Sequence, residues 1–198
     1  MSTITILGSG RVGGGLARAL TEAGHEVRVP DRSPGAAAEA ARSAGIVINA
    51  TPGAGSLERL TALRDTLRDT ILIDVSNATI DGPDGLPAAL LYPGSSLAEQ
   101  LQHALPDTRI VKTLNTMLFP VMTAPSILEQ PPTAFLSGDD PAAKRIVAGL
   151  LTDLGWRREW ITDLGGVETA RATEAAILFV PYVIRANGFA PFAISIAR

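Results

Sequence analysis

The feature that most constrains the fold is a strand-like run at the start of the chain that leads directly into three spaced glycines. Thr3–Leu7 reads Thr-Ile-Thr-Ile-Leu, and Gly8, Gly10 and Gly13 follow it before a helix-like stretch, residues 12–23. In such a pattern the first glycine permits a tight turn, the second lets the backbone approach a pyrophosphate, and the third lets helix and strand pack closely. The pattern therefore predicts a dinucleotide-binding loop. The residues predicted to contact the cofactor here are Gly8, Ser9, Gly10, Arg11, Val12 and Gly13.

The rest of the chain alternates between short apolar runs rich in β-branched residues and Ala/Leu-rich helical stretches. Alternation of this kind is typical of βαβ units around a mainly parallel sheet. Only one short helical stretch, residues 34–44, separates the second and third predicted strands, where a full dinucleotide-binding domain has a further strand and helix. We therefore predict an α/β protein with a doubly wound, Rossmann-type sheet that lacks one edge strand on the adenine side. The predicted strands are residues 3–7, 26–29, 46–50, 71–75, 109–114 and 133–136.

The remaining segments complete the predicted organisation. Residues 141–154 carry helix start and stop signals, and residues 81–94, which contain Gly and Pro, are predicted to form a surface loop. We predict a dinucleotide-binding domain over residues 1–165 and a C-terminal helical segment over residues 166–198. The two are expected to form one compact unit.

The choice between NAD and NADP is expected to depend on Asp31, Arg32 and Ser33, which follow the second predicted strand. An acid at this position, here Asp31, normally accepts a hydrogen bond from the ribose 2′-hydroxyl of NAD, whereas a nearby arginine accommodates the 2′-phosphate of NADP. Arg32 with Ser33 would form a compact phosphate clamp. We therefore predict NADP(H) as the cofactor, with Asp31 pointing away from the ribose. If Asp31 instead binds the ribose, NAD is the alternative.

Small polar residues follow several of the other predicted strands. Ligands of an open parallel sheet lie outside the carboxyl ends of its strands, so these residues are expected to meet the cofactor and the acceptor. Asn115 and Thr116 are candidates for catalytic contacts with the carboxamide or the acceptor, although polar residues also satisfy the backbone where a strand ends. The residues predicted to contact the cofactor at these strand ends are Ala50, Thr51, Pro52 and Asn77.

Composition excludes several classes of function. A net charge of −3 gives no general basic surface for nucleic acid. The chain has no cysteine and two histidines, so we expect neither a thiolate nucleophile nor a metal site. The N-terminus shows no signal-peptide pattern, and prolines and charges interrupt the apolar stretch 175–196, so we expect a cytoplasmic protein that does not enter the membrane. The chemistry is expected to come from a bound cofactor.

Seven segments, in order along nearly the whole chain, carry a family resemblance. They are residues 6–10 (ILGSG), 24–27 (GHEV), 49–52 (NATP), 73–77 (IDVSN), 111–116 (VKTLNT), 137–140 (SGDD) and 168–174 (ETARATE). With them the sequence resembles the NADPH-dependent oxidoreductases that reduce the deazaflavin coenzyme F420 and, more loosely, the wider group that contains pyrroline-5-carboxylate reductase. The stretch between the second strand and Ala-Thr-Pro is shorter here than in that family.

The resemblance implies a Rossmann sheet, NADP(H) on the glycine loop, and a C-terminal helical segment that helps to form the acceptor pocket and a subunit contact. It also implies that Arg171, three residues before Glu174 on one helix face, lies near the acceptor. Arg171 is therefore a candidate catalytic residue. The alternative is that Arg171 and Glu174 form an ordinary surface ion pair.

Three functions are compatible with these features. The first is hydride transfer between NADPH and a deazaflavin or flavin, whose acidic tail would call for a local basic patch. The second is reduction of a C=N or C=O bond in a small metabolite, which calls for a closed apolar pocket with one proton donor. The third is a cofactor-binding protein without turnover, in which side chains fill the space beside the nicotinamide. The basic patch would draw on Lys112, Arg157, Arg158, Arg171 and Arg185.

The C-terminal segment is also expected to form a subunit contact. Residues 177–180, followed by Tyr182, Val183 and Ile184, are apolar around more of a helix than a single core-facing stripe requires. Large exposed apolar patches usually mark interfaces, and two-fold symmetry is the commonest arrangement. We therefore predict that residues 175–198 form a homodimer contact that also helps to wall the acceptor pocket.

Overall fold

The computed structural model describes residues 1–197, in which a seven-stranded sheet is flanked by helices and accompanied by a separate two-stranded hairpin. The strands are β1 (Thr3–Leu7), β2 (Glu26–Arg28), β3 (Ile46–Asn49), β4 (Ile71–Asp74), β5 (Thr79–Asp81), β6 (Pro87–Leu90), β7 (Arg109–Lys112), β8 (Ala134–Ser137) and β9 (Ile161–Gly165). The helices are α1 (Arg11–Glu22), α2 (Ala36–Arg42), α3 (Ser56–Thr61), α4 (Arg64–Leu67), α5 (Leu97–Ala104), α6 (Phe119–Thr123), α7 (Pro141–Asp153), α8 (Ala170–Ala175) and α9 (Val180–Asn187).

The strand order of the main sheet is β2-β1-β3-β4-β7-β8-β9. The first five of these strands are parallel, β8 runs antiparallel to β7, and β9 is parallel to β8. Strand β2 forms the edge on the side where a further strand was predicted to be missing. The Rossmann-type α/β class and the missing edge strand are therefore confirmed, whereas β9 was not predicted because Ile161–Gly165 is only partly buried and has a weak apolar pattern.

Buried apolar residues cover both faces of the sheet, as a doubly wound fold requires. Strand β3 is buried along its whole length, and its successive side chains point to opposite faces. Ile48 belongs to the cluster that contains Leu16 of α1, and Val47 belongs to the cluster that contains Leu60 of α3 and Leu101 of α5. Burial on both faces is the reason that the predicted strands read as continuous apolar runs.

Two predicted segments differ from the structure. The predicted surface loop 81–94 contains most of the hairpin β5–β6, in which Thr79 pairs with Leu90. Gly85 has a φ of +71°, and the backbone N–H of Gly82 donates to the carbonyl of Leu86 at 2.8 Å. The Gly and Pro residues therefore form a hairpin turn, and the prediction of a surface loop was wrong where the segment forms the strands of the hairpin.

The C-terminal segment is helical only as far as Asn187. Beyond that residue the described chain forms no further helix, and its backbone pairs with the segment after β7. The N–H of Leu118 donates to the carbonyl of Phe192 at 3.0 Å, and the N–H of Ile194 donates to the carbonyl of Thr116 at 3.1 Å. Arg198, the last residue of the predicted helical segment, lies outside the described residues. Over the part of the chain that is described, no helix combines the length and the apolar character that crossing a membrane requires.

Candidate functional site

The glycine loop between β1 and α1 has the shape that a bound pyrophosphate requires. Gly8 has a φ of +109°, and a Cβ atom there would lie 2.5 Å from the carbonyl oxygen of Ala50. A Cβ atom on Gly13 would lie 1.8 Å from the carbonyl oxygen of Gly8, whereas one on Gly10 would meet no atom within 4 Å. Gly8 and Gly13 are thus needed by the protein itself, and Gly10 keeps space open beside the N-terminus of α1. The free backbone N–H groups at the N-terminus of α1 can bind an anion in this space.

A cleft of about 910 Å³ runs from this loop across the carboxyl ends of the parallel strands. All of the residues predicted to bind the cofactor line this cleft, except Gly13 and Ser33. Gly13 lies beneath the loop, where it lets α1 approach β1. The cleft therefore lies at the position where a doubly wound sheet binds its ligand.

At the end of β2, Asp31 and Ser33 interact with each other. The Oδ1 atom of Asp31 accepts hydrogen bonds from the hydroxyl of Ser33 and, at 2.8 Å, from its backbone N–H. These two hydrogen bonds lower the pKa of the Asp31 carboxyl below its ordinary value. The Ser33 hydroxyl is thus directed to Asp31, and Arg32 lines the cleft with no carboxylate partner among residues 1–197.

Two further arginines line the cleft, and Arg59 was not identified from the sequence. Its Nη2 atom donates to the carbonyl of Pro52 at 2.6 Å and contacts the hydroxyl of Thr51 at 3.3 Å. The guanidinium of Arg11 lies 5.1 Å from the centre of the Phe119 ring, which is the geometry of a cation–π contact. Nothing in the sequence around Arg59 distinguishes it from a solvated arginine, since only the fold brings α3 to the cleft.

Apolar residues complete the adenine side of the cleft, where the edge strand is missing. This part of the cleft is lined by Ala37 of α2, by Leu60 of α3 and by Leu63, which follows α3. The leucines are three residues apart. Because this spacing also occurs on ordinary core-facing helices, it does not by itself assign them to a ligand. The short α2 thus takes the place of the absent strand and helix.

A polar network lies beneath the cleft at the ends of β3 and β4. The side-chain amide of Asn49 donates to Oδ1 of Asp74 at 2.8 Å, and its carbonyl oxygen accepts from the hydroxyl of Thr51 at 2.6 Å. The hydroxyl of Ser76 also donates to Oδ1 of Asp74, at 2.8 Å. Thr51 and Ser76, which line the cleft, are therefore held by buried groups. In the sequence, Asn49 and Asp74 could have been recognised as part of the site because each is a polar residue at the end of an otherwise apolar strand.

Lys112, at the end of β7, is fully buried beside two carboxylates. Its Nζ atom lies 2.7 Å from Oδ2 of Asp74 and 2.9 Å from Oε1 of Glu174, and it also donates to the carbonyl of Ser76. Burial alone would lower the pKa of Lys112, but the two carboxylates outweigh this effect and raise the pKa above its ordinary value. The ammonium group is therefore charged and has three acceptors.

The five cations expected to form a basic patch do not converge. Lys112 is buried, Arg171 pairs with Glu99, and Arg185 pairs with Asp84 at 2.7 Å. The cations that line the cleft are Arg11, Arg32 and Arg59. None of the five lines the cleft, and Lys112, Arg171 and Arg185 are used in ion pairs within the chain, so these five residues do not form the patch that the first function calls for.

Asn77 and Asn115 form a reciprocal pair at the far end of the cleft. The amide of Asn115 donates to the side-chain oxygen of Asn77 at 3.0 Å, and the amide of Asn77 donates to the backbone carbonyl of Asn115 at 2.9 Å. Asn77 lines the cleft, whereas Asn115 is buried behind it and orients it. Leu114 turns the chain towards this pair with a φ of +60°, a conformation that is strained for a leucine.

Like Asn115, the other two residues predicted to be catalytic, Thr116 and Arg171, do not line the cleft. Thr116 is buried, and its hydroxyl has no hydrogen-bond partner within residues 1–197. Arg171 donates two hydrogen bonds to Glu99 of α5, and these raise the pKa of Arg171 and help to lower that of Glu99 against the opposing effect of burial. The predicted Arg171–Glu174 pair does not form, because Glu174 is directed inward to Lys112.

Among residues 1–197, the guanidinium of Arg11 is the one acidic or basic group at the acceptor end of the cleft. This end is lined by Val75, Ser76, Asn77, Met117, Leu118, Phe119 and Met122. In the described part of the chain, the one carboxylate that lines the cleft is that of Asp31, at the end of β2. Over residues 1–197, no group of three or more His, Cys, Asp or Glu residues is placed to hold a metal ion. The site is therefore built to hold and orient ligands.

Comparisons with known proteins agree with this geometry. The family model described as coenzyme F420-dependent NADP oxidoreductase matches residues 3–58. The crystal structure of a candidate F420-dependent NADP-reductase from Arthrobacter sp. FB24 is 36% identical, has a TM-score of 0.92, and the match covers 100% of both chains. A search of curated proteins found no match.

Two further solved structures are more distant. A hypothetical protein from Sinorhizobium meliloti is 26% identical with a TM-score of 0.65, and the match covers 85% of this chain and 88% of that one. The 3-hydroxyisobutyrate dehydrogenase of Mycobacterium tuberculosis is 20% identical with a TM-score of 0.66, and the match covers 94% of this chain and 62% of that one. The last of these similarities shows the fold alone.

Proposed function

Since this chain belongs to the family of coenzyme F420-dependent NADP oxidoreductases, we propose that it transfers hydride between NADPH and a deazaflavin or flavin-like ring. The chain is an NADP-dependent oxidoreductase, and the proposal concerns the acceptor. The main alternative is the reduction of a C=N or C=O bond in a small metabolite.

The residues of the cleft fit NADP(H). The free N–H groups at the N-terminus of α1 and the open space at Gly10 suit the pyrophosphate. Arg32 has no carboxylate partner among the described residues and can make charge-assisted hydrogen bonds to the 2′-phosphate. When bound, the cofactor supplies hydride from its nicotinamide ring. The contribution of the chain is to hold the two reactants at the distance and orientation that transfer requires.

The observation that carries the proposal is that, within residues 1–197, no side chain at the acceptor end of the cleft is suited to donate a proton. Reduction of an imine or a ketone places charge on one nitrogen or oxygen atom, which calls for a general acid within hydrogen-bond reach. A deazaflavin or flavin ring instead spreads the incoming charge over its conjugated carbonyl groups and can take its proton from solvent. Lys112, the nearest buried cation, already donates to Asp74, Glu174 and Ser76.

The open cleft also favours an enzyme over a protein that only binds the cofactor. In a protein without turnover, side chains are expected to fill the space beside the nicotinamide. Here that space is part of the cleft and is bounded by apolar residues, among them Met117 and Met122. An apolar wall of this kind suits the face of a flat ring.

The proposal is tested by following NADPH oxidation at its own absorbance band. The acceptors are coenzyme F420, FMN, FAD, and a panel of cyclic imines and ketones, each with the Gly10→Val variant as a control for turnover outside the cleft. We expect turnover with F420 or a flavin and none with the imines and ketones. Turnover with an imine or a ketone and none with any ring acceptor would replace the proposal with the alternative.

A further inference from the structure

We propose that Lys112 is a positioning residue for Ser76 and Asn77, which line the acceptor end of the cleft and are called the acceptor wall below. Lys112 also couples this wall to the C-terminal segment. The inference deepens the proposed function, on which its kinetic part rests. The side chain of Lys112 is 1% exposed, and those of Asp74 and Glu174 are 0% and 4% exposed. Three charged groups are thus buried together, directly behind a residue that lines the cleft.

The three N–H donors of the ammonium group match three acceptors. They are Oδ2 of Asp74, Oε1 of Glu174 and the backbone carbonyl of Ser76. Because all three donors are used, Lys112 is not a proton donor to the acceptor, and its effect must pass through its partners. One of those partners, Ser76, lines the cleft directly before Asn77.

On the cleft side, the cluster holds the backbone of Ser76 at both ends. Its carbonyl accepts from Lys112, and its N–H donates to Oδ1 of Asp74 at 3.2 Å. The same oxygen accepts from the side chain of Asn49, which in turn orients Thr51. The ends of β3 and β4 therefore derive their positions in the cleft from one buried network.

On the opposite side, the cluster joins two helices. Oε2 of Glu174, from α8, accepts the backbone N–H of Leu97 at 2.9 Å, and Oε1 accepts that of Ala98 at 3.2 Å. A carboxylate at the N-terminus of α5 binds otherwise unpaired N–H groups and interacts favourably with the helix dipole. Displacement of α8 would therefore be transmitted through Glu174 and Lys112 to Ser76.

Lys144 provides a matched control for the loss of a buried ammonium group. Its side chain is 8% exposed, and its Nζ atom lies 2.7 Å from Oδ1 of Asp163 and 2.8 Å from the carbonyl of Gly165. Lys144 thus also binds a carboxylate and a backbone carbonyl, but neither of its partners lines the cleft. Replacing it removes a buried charge without touching the acceptor wall.

The experiment compares Lys112→Met with Lys144→Met in the full-length protein. We measure NADPH affinity by nicotinamide fluorescence, kcat and KM with the best acceptor, and amide hydrogen exchange over residues 75–78. For Lys112→Met we expect kcat to fall about tenfold or more through misplacement of the wall, with a much smaller change in NADPH affinity. Exchange over residues 75–78 should accelerate about tenfold. Lys144→Met should leave both quantities near those of the parent protein, even where its melting temperature falls.

Equal kcat and equal protection of residues 75–78 in the two variants would overturn the inference. Should Lys112→Met not fold, Glu174→Gln serves instead, because it keeps the Asp74–Lys112 pair and weakens only the connection to α8 and α5. Glu174→Gln should still accelerate hydrogen exchange over residues 75–78. Unchanged exchange in this variant would overturn the inference. The exchange and NADPH measurements need no acceptor, so failure of every ring acceptor in the parent protein would refute the proposed function without deciding this comparison.

Discussion

At the scale of single residues, the charges that line the cleft bear on the choice of cofactor. Of the charged residues that the structure describes, Arg11, Arg32 and Arg59 line the cleft together with a single carboxylate, that of Asp31. The hydrogen bonds from Ser33 lower the pKa of Asp31, which therefore stays ionised and engaged with its neighbour. The excess of cations suits a ligand with several phosphate charges.

Arg32→Ala should erase a preference for NADPH over NADH. In the proposed binding mode the guanidinium of Arg32 would make charge-assisted hydrogen bonds to the 2′-phosphate, which NADH lacks. NADPH affinity should therefore fall by about 10- to 100-fold while NADH affinity changes little. Calorimetry with both cofactors measures this. Arg28→Ala is the control, since Arg28 pairs with Glu26 and does not line the cleft. Equal affinities of the parent protein for the two cofactors would return Asp31 to the role of binding an NAD ribose.

Gly10→Val should abolish cofactor binding and leave the fold intact. No atom lies within 4 Å of a Cβ at Gly10, so the new side chain would clash with the pyrophosphate and not with the protein. Fluorescence titration with NADPH and the far-UV circular dichroism spectrum report the two effects. Gly14→Val places the same side chain on an exposed position of α1 outside the cleft and should still bind NADPH. A folded Gly10→Val variant with unchanged affinity would mean that the loop is only a turn.

At the scale of elements, the packing of α1 on β1 depends on a glycine that faces the loop. A Cβ at Gly13 would lie 1.8 Å from the carbonyl oxygen of Gly8, and backbone atoms cannot move aside as the end of a flexible side chain can. The pattern of three glycines therefore serves two ends. Gly13 is required for the packing of α1 against the loop, and Gly10 leaves space for the ligand.

Gly13→Ala should lower the free energy of unfolding by about 1 to 3 kcal/mol or more, the usual cost of overpacking. The matched change Gly15→Ala, two residues along the same helix, meets no atom within 4 Å and should be neutral or stabilise by up to about 1 kcal/mol through helix propensity. Urea unfolding measures both variants. Similar stabilities for the two would show that the contact between α1 and the loop relaxes at no cost.

At the scale of the whole molecule, the C-terminal segment leaves large aromatic side chains in solvent. Phe179, Tyr182 and Phe189 are 64%, 68% and 66% exposed. Beyond them, Phe192 and Ile194 pair through their backbones with Thr116 and Leu118 beside the cleft. The segment thus has an inner part that packs near the acceptor wall and an outer part that favours a contact with a second copy.

We predict that the protein is a homodimer through this outer surface. Light scattering at micromolar concentration should give about twice the chain mass of 20.6 kDa. Phe179→Asp should reduce that mass to one chain, whereas Ile146→Asp, at an exposed apolar residue of α7, should not. Removal of the last twelve residues should lower both the mass and turnover. A monodisperse parent monomer that oxidises NADPH would refute the dimer.

What the sequence determined by itself is the local part of this protein. The strand, the glycine loop and the helix are specified by neighbouring residues, because the turn at Gly8, the close approach at Gly13 and the apolar periodicities are all short-range properties. The missing edge strand followed from a count of residues between β2 and β3. The hairpin over residues 79–90 was missed because its short, partly exposed strands lack an apolar pattern.

The pairing of residues far apart in the chain depends on how the helices and strands pack, which local patterns do not specify. Arg171 and Glu174 are three residues apart, yet they bind Glu99 and Lys112 because α8 packs on α5 over a buried ammonium group. Arg59 joins the cleft only because α3 is folded against the end of β3. A sequence identifies the charged residues, but the partner of each is set by which elements pack together. Burial then determines how strongly the two charges interact, since few water molecules remain to screen them.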